Sequence, residues 1–187
     1  MKAPMEQATN QPTLNNWYVI TGGPGSGKTT CIDMLRTMGY RTTEEPARHY
    51  MDIQRHNGNS LEVLRAHQRE FQLAILKMQL EQEQSLNPAE LTFLDRGIPD
   101  SHAYYHFLQI PEDPQLVEAL KHISYKKVFI MDCLPLVNDY ARIEDEAAQL
   151  KIHQLLIEIY EALPFPIVRV PVMSVEERVG FILRNLW

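Results

Sequence analysis

The stretch Thr21-Gly22-Gly23-Pro24-Gly25-Ser26-Gly27-Lys28-Thr29-Thr30 decides how the rest of the chain is read. It satisfies G-x-x-x-x-G-K-[ST], with Gly22 as the first glycine and Gly27-Lys28-Thr29 as the close. The apolar, β-rich run Trp17-Tyr18-Val19-Ile20 precedes it. Cys31 to Met38 follow with Ile32, Leu35 and Met38 at helical spacing. Strand, glycine loop and helix therefore succeed one another in the order a phosphate cradle needs. Glycines let backbone N–H groups curl around phosphate oxygens without Cβ clashes. The helix N-terminus adds partial positive charge. Lys28 then reaches the β- and γ-phosphates, and the Thr29 hydroxyl is a ligand for Mg²⁺. The stretch from Gly22 to Thr30 thus implies a bound nucleoside triphosphate, ATP in the first instance with GTP as the alternative.

Outward from that loop, composition narrows the class. The chain has 187 residues, enough for one α/β domain with a sizeable core. A formal net charge of −6 without a long basic run argues against nucleic acid as a partner. No apolar run reaches membrane-spanning length, and the N-terminus lacks a hydrophobic signal core. Cys31 and Cys133 are too few and too far apart for a disulfide framework or a metal knuckle. The expectation is a cytoplasmic protein, with a homodimer as an allowed assembly. Residues 1–15, rich in Gln, Asn, Pro and Thr, read as a flexible leader, and 16–187 as a single domain.

Along the chain, strands and helices alternate. Tyr40–Thr43 reads as a second strand, with Pro46 opening a helix to about His56. Ser60 can cap a long helix from Leu61 to about Ser85, with Leu64, Phe71, Ile75 and Met78 as its apolar face and Gln68, Gln72 and Gln79 along one edge. Leu91–Leu94 is a third strand, followed by a helix near Asp100–Leu108 and another from Asp113-Pro114 to about Ile123. Val128–Met131 and Pro166–Val170 are the fourth and fifth strands. Residues 147–163 form an amphipathic helix, and Ser174-x-x-Glu177 is a capping box opening the last one. This alternation predicts a parallel, doubly wound α/β sheet of five strands flanked by helices.

In such a sheet, ligands bind beyond the carboxyl ends of the strands. The residues there are the glycine loop after the first strand, Glu44, Glu45 and Arg48 after the second, Asp95 and Arg96 after the third, and Asp132 after the fourth. Acids around a triphosphate hold Mg²⁺ or accept the attacking hydroxyl's proton, and arginines neutralise charge on the transferring group. Asp95 and Asp132 both follow an apolar run, so both compete for the metal. Asp95 is favoured because Arg96 stands beside it, whereas Cys133-Leu134-Pro135 after Asp132 reads as an exit turn. His102 and His106 stand i, i+4 on one helix face, as two metal ligands would. No Glu lies between them in the zincin pattern and no third ligand stands out in the sequence, so no metal is expected there.

With these residues in view, the chain resembles the nucleoside and nucleotide kinase branch of the P-loop NTPases, deoxynucleoside kinases in particular. It also resembles the AAA-type ATPases of bacteria that share that fold and include nicotinamide-riboside-kinase-like domains. Glu45-Pro46-Ala47-Arg48 is similar to the Glu-Pro stretch after the second strand of deoxynucleoside kinases, where the Glu is the base. Phe71-Gln72 is similar to their Phe-Gln, whose Gln reads the nucleobase. Asp95-Arg96-Gly97 stands where they carry Glu-Arg-Ser and thymidylate kinases carry Asp-Arg. Arg142 resembles the arginine of a reduced lid, near 136–146, though such lids usually hold two or more. The resemblance implies a three-layer P-loop sandwich and a kinase moving the γ-phosphoryl group of ATP onto a nucleoside, nucleotide or similar alcohol. Lys28, Glu45, Asp95, Arg96 and Arg142 are then catalytic, Thr29 and Asp95 hold Mg²⁺, and Glu45, Arg48, Gln68, Gln72 and Arg96 face the acceptor. The rival reading is a nucleotide-binding switch or hydrolase that acts through a protein partner.

Overall fold

The computed structural model describes residues 15–58, 67–134 and 146–187. Five strands form one sheet: β1 (Trp17–Thr21), β2 (Arg41–Thr42), β3 (Thr92–Asp95), β4 (Lys127–Met131) and β5 (Ile167–Val170). Their order is β2-β3-β1-β4-β5, and every pairing is parallel. β1 is central, with Val19 beside Leu94 of β3 and Val128 of β4. The helices are α1 (Lys28–Thr37), α2 (Pro46–His56), α3 (Gln68–Ser85), α4 (Ile98–Leu108), α5 (Pro114–Leu120), α6 (Glu146–Glu161) and α7 (Val175–Arg184).

The strand sequences dictate the layering. Side chains alternate across a strand, and a parallel sheet is covered on both faces, so the middles of its central strands are apolar on both sides. Tyr18, Ile20, Phe93, Phe129 and Met131 pack with Ile32 and Leu35 of α1 and Val179 and Ile182 of α7. Trp17, Val19, Leu94, Val128 and Ile130 point the other way, against Ala103 of α4 and Ile152, Leu156 and Tyr160 of α6. The result is the three-layer α/β sandwich expected of the sequence. Truncating a core side chain such as Ile20 to Ala would cost about 2–5 kcal/mol. The carboxyl ends of the strands therefore rest on a packed frame.

Local differences from the sequence reading have physical causes. β2 spans Arg41–Thr42 only, because Tyr40 N–H still serves the end of α1, donating to Leu35 O at 3.1 Å. α4 starts at Ile98 rather than near Asp100. Pro99 is tolerated in a first turn, and the Asp100 carboxylate turns back to accept from Gly97 N–H at 3.1 Å. α5 stops at Leu120 instead of Ile123, closing in a turn where His122 N–H donates to Ala119 O. In α3 the buried stripe is Gln72, Leu76, Gln79 and Glu83, not the Phe71–Ile75–Met78 line, whose members are only half-buried. Phe71 packs edge-on against Tyr50 of α2, 5.5 Å between ring centres, while the polar stripe faces α4 and the turn after β3. The leader up to residue 14, the start of the long helix at 61–66, and residues 136–145 of the expected lid, with Arg142, lie outside the described residues.

Candidate functional site

β1 ends in the crevice between the carboxyl ends of β3 and β4, and the glycine loop fills it. Gly22 (φ 146°), Gly25 (72°) and Gly27 (82°) all adopt conformations that side-chain-bearing residues rarely take. A Cβ on Gly22 would also lie 2.6 Å from Met131 O. Lys28 Nζ stands inside the loop and donates to Gly22 O at 2.9 Å, Gly23 O at 3.2 Å and Ser26 Oγ at 3.3 Å. Burial, and after it the neighbouring Arg96 charge, lowers its pKa to about 8. Thr29 is half-buried in the first turn of α1, while Thr30 faces solvent.

The loop is also gripped from outside by residues that the sequence did not single out. Gln149 of α6 donates to Pro24 O, and Gly23 N–H donates to His153 Nδ1 at 3.2 Å. An accepting Nδ1 requires a neutral imidazole. That agrees with a His153 pKa lowered by burial and then by Arg169. Arg178 of α7, buried beneath the loop, donates to Ser26 O, to Pro171 O at 2.9 Å and to Asp132 O at 3.0 Å. One guanidinium thus ties the loop to the exits of β4 and β5.

The end of β3 carries the acids and the arginine. Asp95 is 2% exposed, and its Oδ1 is buried with no hydrogen-bond partner. Burial, then the Glu45 charge, raises its pKa despite Lys28 and Arg96 nearby. Arg96 follows in the left-handed region at φ 74°. That backbone costs about 1–3 kcal/mol and persists only where its surroundings hold it. Here they do: Arg96 N–H donates to Ile20 O at 3.1 Å, Nε to Glu45 Oε1 at 2.6 Å, and an Nη1 hydrogen to Asp100 Oδ1 at 2.8 Å. Its guanidinium also lies 5.6 Å from the Tyr104 ring centre. Burial alone would raise the Glu45 carboxyl, but Arg96 and Lys28 outweigh it and hold Glu45 well below the usual carboxylate range.

Asp100 is the hub that sequence reasoning missed. Its Oδ1 accepts from Thr21 Oγ1 at 2.6 Å and from Arg96, and its Oδ2 accepts from Gly97 N–H and from Tyr160 Oη at 2.6 Å. One carboxylate thus joins β1, the turn after β3 and α6. Its only local signal is an acid in the first turn after Gly97. Behind it, Glu83 of α3 accepts from Gln79 at 2.7 Å and from Tyr125 Oη at 2.9 Å, and burial pushes its pKa up to about 7.

Lys28, Glu45, Asp95 and Arg96 therefore meet at one place, with Arg48 close enough to lower the Glu45 carboxyl further. Gln72 is 6% exposed on the same α3 stripe as Gln79, whereas Gln68, one turn earlier, is exposed. Gln79 is turned to Glu83 and to Arg96 O at 3.4 Å. Asp132 stands apart, accepting from Arg169 Nη2 at 2.6 Å and Nε at 3.2 Å. The unpartnered Asp95 oxygen fits a divalent cation or its water ligand. The arrangement combines a glycine-rich loop around a lysine, a buried acid with an unpartnered oxygen, and a second carboxylate locked to an arginine.

Known proteins share this frame. Deoxyadenosine kinase from M. mycoides with bound dATP matches with a TM-score of 0.66 at 15% identity, over 91% of this chain and 98% of that one. NadR in complex with NR matches at 0.66 and 15%, but there this chain spans only 50% of the other. Thymidylate kinase from Candida albicans matches at 0.60 and 16%, over 91% of this chain and 90% of the other. At such identities the likeness is one of fold. No curated protein matches the sequence. The AAA domain family matches residues 17–178, and the chain belongs to it.

Proposed function

We propose that the protein is a phosphotransferase that moves the γ-phosphoryl group of ATP onto a hydroxyl of a nucleoside, a nucleotide or a similar small alcohol. The observation that carries this reading is the Glu45–Arg96 pair at 2.6 Å, set beside Asp95 and Lys28. A nucleotide switch needs the loop, one acid and a metal. A second, part-buried carboxylate with its own arginine serves an acceptor. The kinases among the structural neighbours support the same reading.

In this mechanism Lys28 and the loop amides hold the phosphates. Thr29 and Asp95 would hold Mg²⁺, which would neutralise charge on the phosphates. Glu45 accepts a hydrogen bond from the acceptor hydroxyl and aligns it in line with the γ-phosphorus. Its low pKa suits a loose transition state, in which the proton leaves late and alignment matters more than base strength. Arg96, fixed by Glu45 and Asp100, places its guanidinium against the transferring group. Gln72, an amide able to donate and accept, is assigned to the acceptor, and Arg48 to the acceptor's anionic side.

The test is phosphate transfer from ATP or GTP, with and without a panel of nucleosides and nucleotides. Turnover that depends on an acceptor and yields a phosphorylated product supports the kinase. Slow hydrolysis indifferent to every acceptor overturns it in favour of a switch or hydrolase.

A further inference from the structure

His102 and His106 lie one turn apart on the face of α4 turned away from Asp100, and the third ligand that the sequence did not reveal is Glu112. Its Oε1 is 2.6 Å from His102 Nε2 and 3.3 Å from His106 Nε2. One ligand atom from each residue lies within 4.8 Å of the others, and among the described residues this is the only cluster of three such donors. We propose that His102, His106 and Glu112 form a zinc site with an open fourth position, separate from the phosphate-binding crevice.

The ligand chemistry favours zinc over magnesium. Two imidazoles and one carboxylate suit a borderline divalent ion, whereas Mg²⁺ prefers oxygen. Tetrahedral bonds of about 2.0–2.1 Å place ligand atoms about 3.3 Å apart. The His106–Glu112 pair already has that spacing at 3.3 Å, and the His102–Glu112 pair must open from 2.6 Å. These side chains are partly exposed, at 22% for His102, 49% for His106 and 40% for Glu112, so they can make that adjustment. The two rings meet edge to face, 4.5 Å between centres, with both Nε2 atoms turned to the same carboxylate.

The third ligand is also held in place by its own chain. Gln109 ends α4 in the left-handed conformation, with its N–H on His106 O and the Ile110 N–H on Tyr105 O. Pro111 fixes the backbone just before Glu112. Asp113, just after it, caps α5 by accepting from Gln115 N–H at 2.9 Å. Glu112 thus sits on a three-sided brace, so little ordering entropy is lost on binding. The C-terminal end of α4 adds partial negative charge, which favours a cation. Bound zinc would pin the end of α4 to the start of α5. The exposed His122–Glu118 pair, at 2.9 Å, has the same contact without a third donor and serves as an internal control.

The experiment titrates the metal-free full chain with Zn²⁺ alone, by calorimetry and by thermal unfolding, and records the visible spectrum with Co²⁺. The expected result is one equivalent bound, a raised melting temperature and a Co²⁺ spectrum of low coordination number. His106→Ala and Glu112→Ala should each weaken binding at least about tenfold, while His122→Ala should not. Both variants alter exposed side chains, so their metal-free melting should equal wild type. Binding unchanged in both variants, or no stoichiometric binding in the wild type, overturns the proposal.

Discussion

Two strand ends on either side of β1 carry the same sequence signature, an apolar run closed by an aspartate, and the fold treats them differently. At the end of β3, Asp95 is buried, and one of its oxygens has no partner. At the end of β4, Asp132 is partly exposed and held by Arg169 through two hydrogen bonds. A buried carboxylate left without partners is costly unless a ligand completes it. A paired surface carboxylate is already complete. The difference between the unpartnered acid and the paired one therefore lies in what the next strand sends across. β5 supplies Arg169 to Asp132. β2 sends Glu45, a second acid, toward Asp95, which raises its pKa.

The comparison can be broken first at the charge that the Asp95 side shares. Lys28→Ala should weaken triphosphate binding by about 30-fold or more, because it strips a buried charge partner from the phosphates. In the wild type, affinity should also fall as pH rises through about 8. Burial lowers the free lysine to that value, and only the protonated ammonium pairs with phosphate. Above about pH 8, nucleotide binding should take up a proton, because the bound phosphates favour the protonated lysine. Calorimetry in buffers of different ionisation enthalpy measures both effects. Binding by Lys28→Ala equal to wild type would remove the lysine from the site.

The second test concerns the acid that β2 contributes. Glu45→Gln should lower turnover by about 10²–10⁴-fold with little change in the Michaelis constant for ATP. The same change should lower the Asp95 pKa, since the Glu45 charge is one of the causes of its rise. Steady-state kinetics and a pH profile read both. Full activity in Glu45→Gln would discard Glu45 as the group that aligns the acceptor.

The smallest effect should come from the β4 side. Arg169→Ala breaks a half-exposed ion pair, and such pairs are worth about 1 kcal/mol or less. A slightly lower melting temperature with turnover within about threefold of wild type is expected. A collapse of turnover would mean that the Asp132–Arg169 pair takes part in the chemistry.

How much of this was legible in the sequence follows from the range of the interactions. The phosphate loop, the strands and the strand-end acids are local patterns, and they stand where the sequence put them. Asp100 escaped notice because its partners Thr21 and Tyr160 lie 79 and 60 residues away, and nothing local distinguishes a hub from a helix-capping acid. Gln149, His153 and Arg178 reach the loop across 125 to 152 residues, from helices whose periodicity reports only core packing. The polar stripe of α3 misled for a related reason. Gln79 stands along one edge of the helix in the sequence, and only Tyr125 and the Arg96 carbonyl, placed against Glu83 and Gln79, turn that edge into a buried stripe. In the same way, the histidine pair on α4 looked incomplete until the turn after the helix brought Glu112 beside it.

The assignment of the metal-binding acid is tested most directly by Asp95→Asn and Asp132→Asn, measured side by side for nucleotide affinity, turnover and the Mg²⁺ concentration giving half-maximal rate. Both substitutions keep shape and remove charge. Asp95→Asn should keep nucleotide binding, lose about 10²-fold or more in turnover and need more Mg²⁺, while Asp132→Asn should stay within about threefold of wild type on all counts. Equal losses at the two positions, or a larger loss at Asp132, would contradict the account.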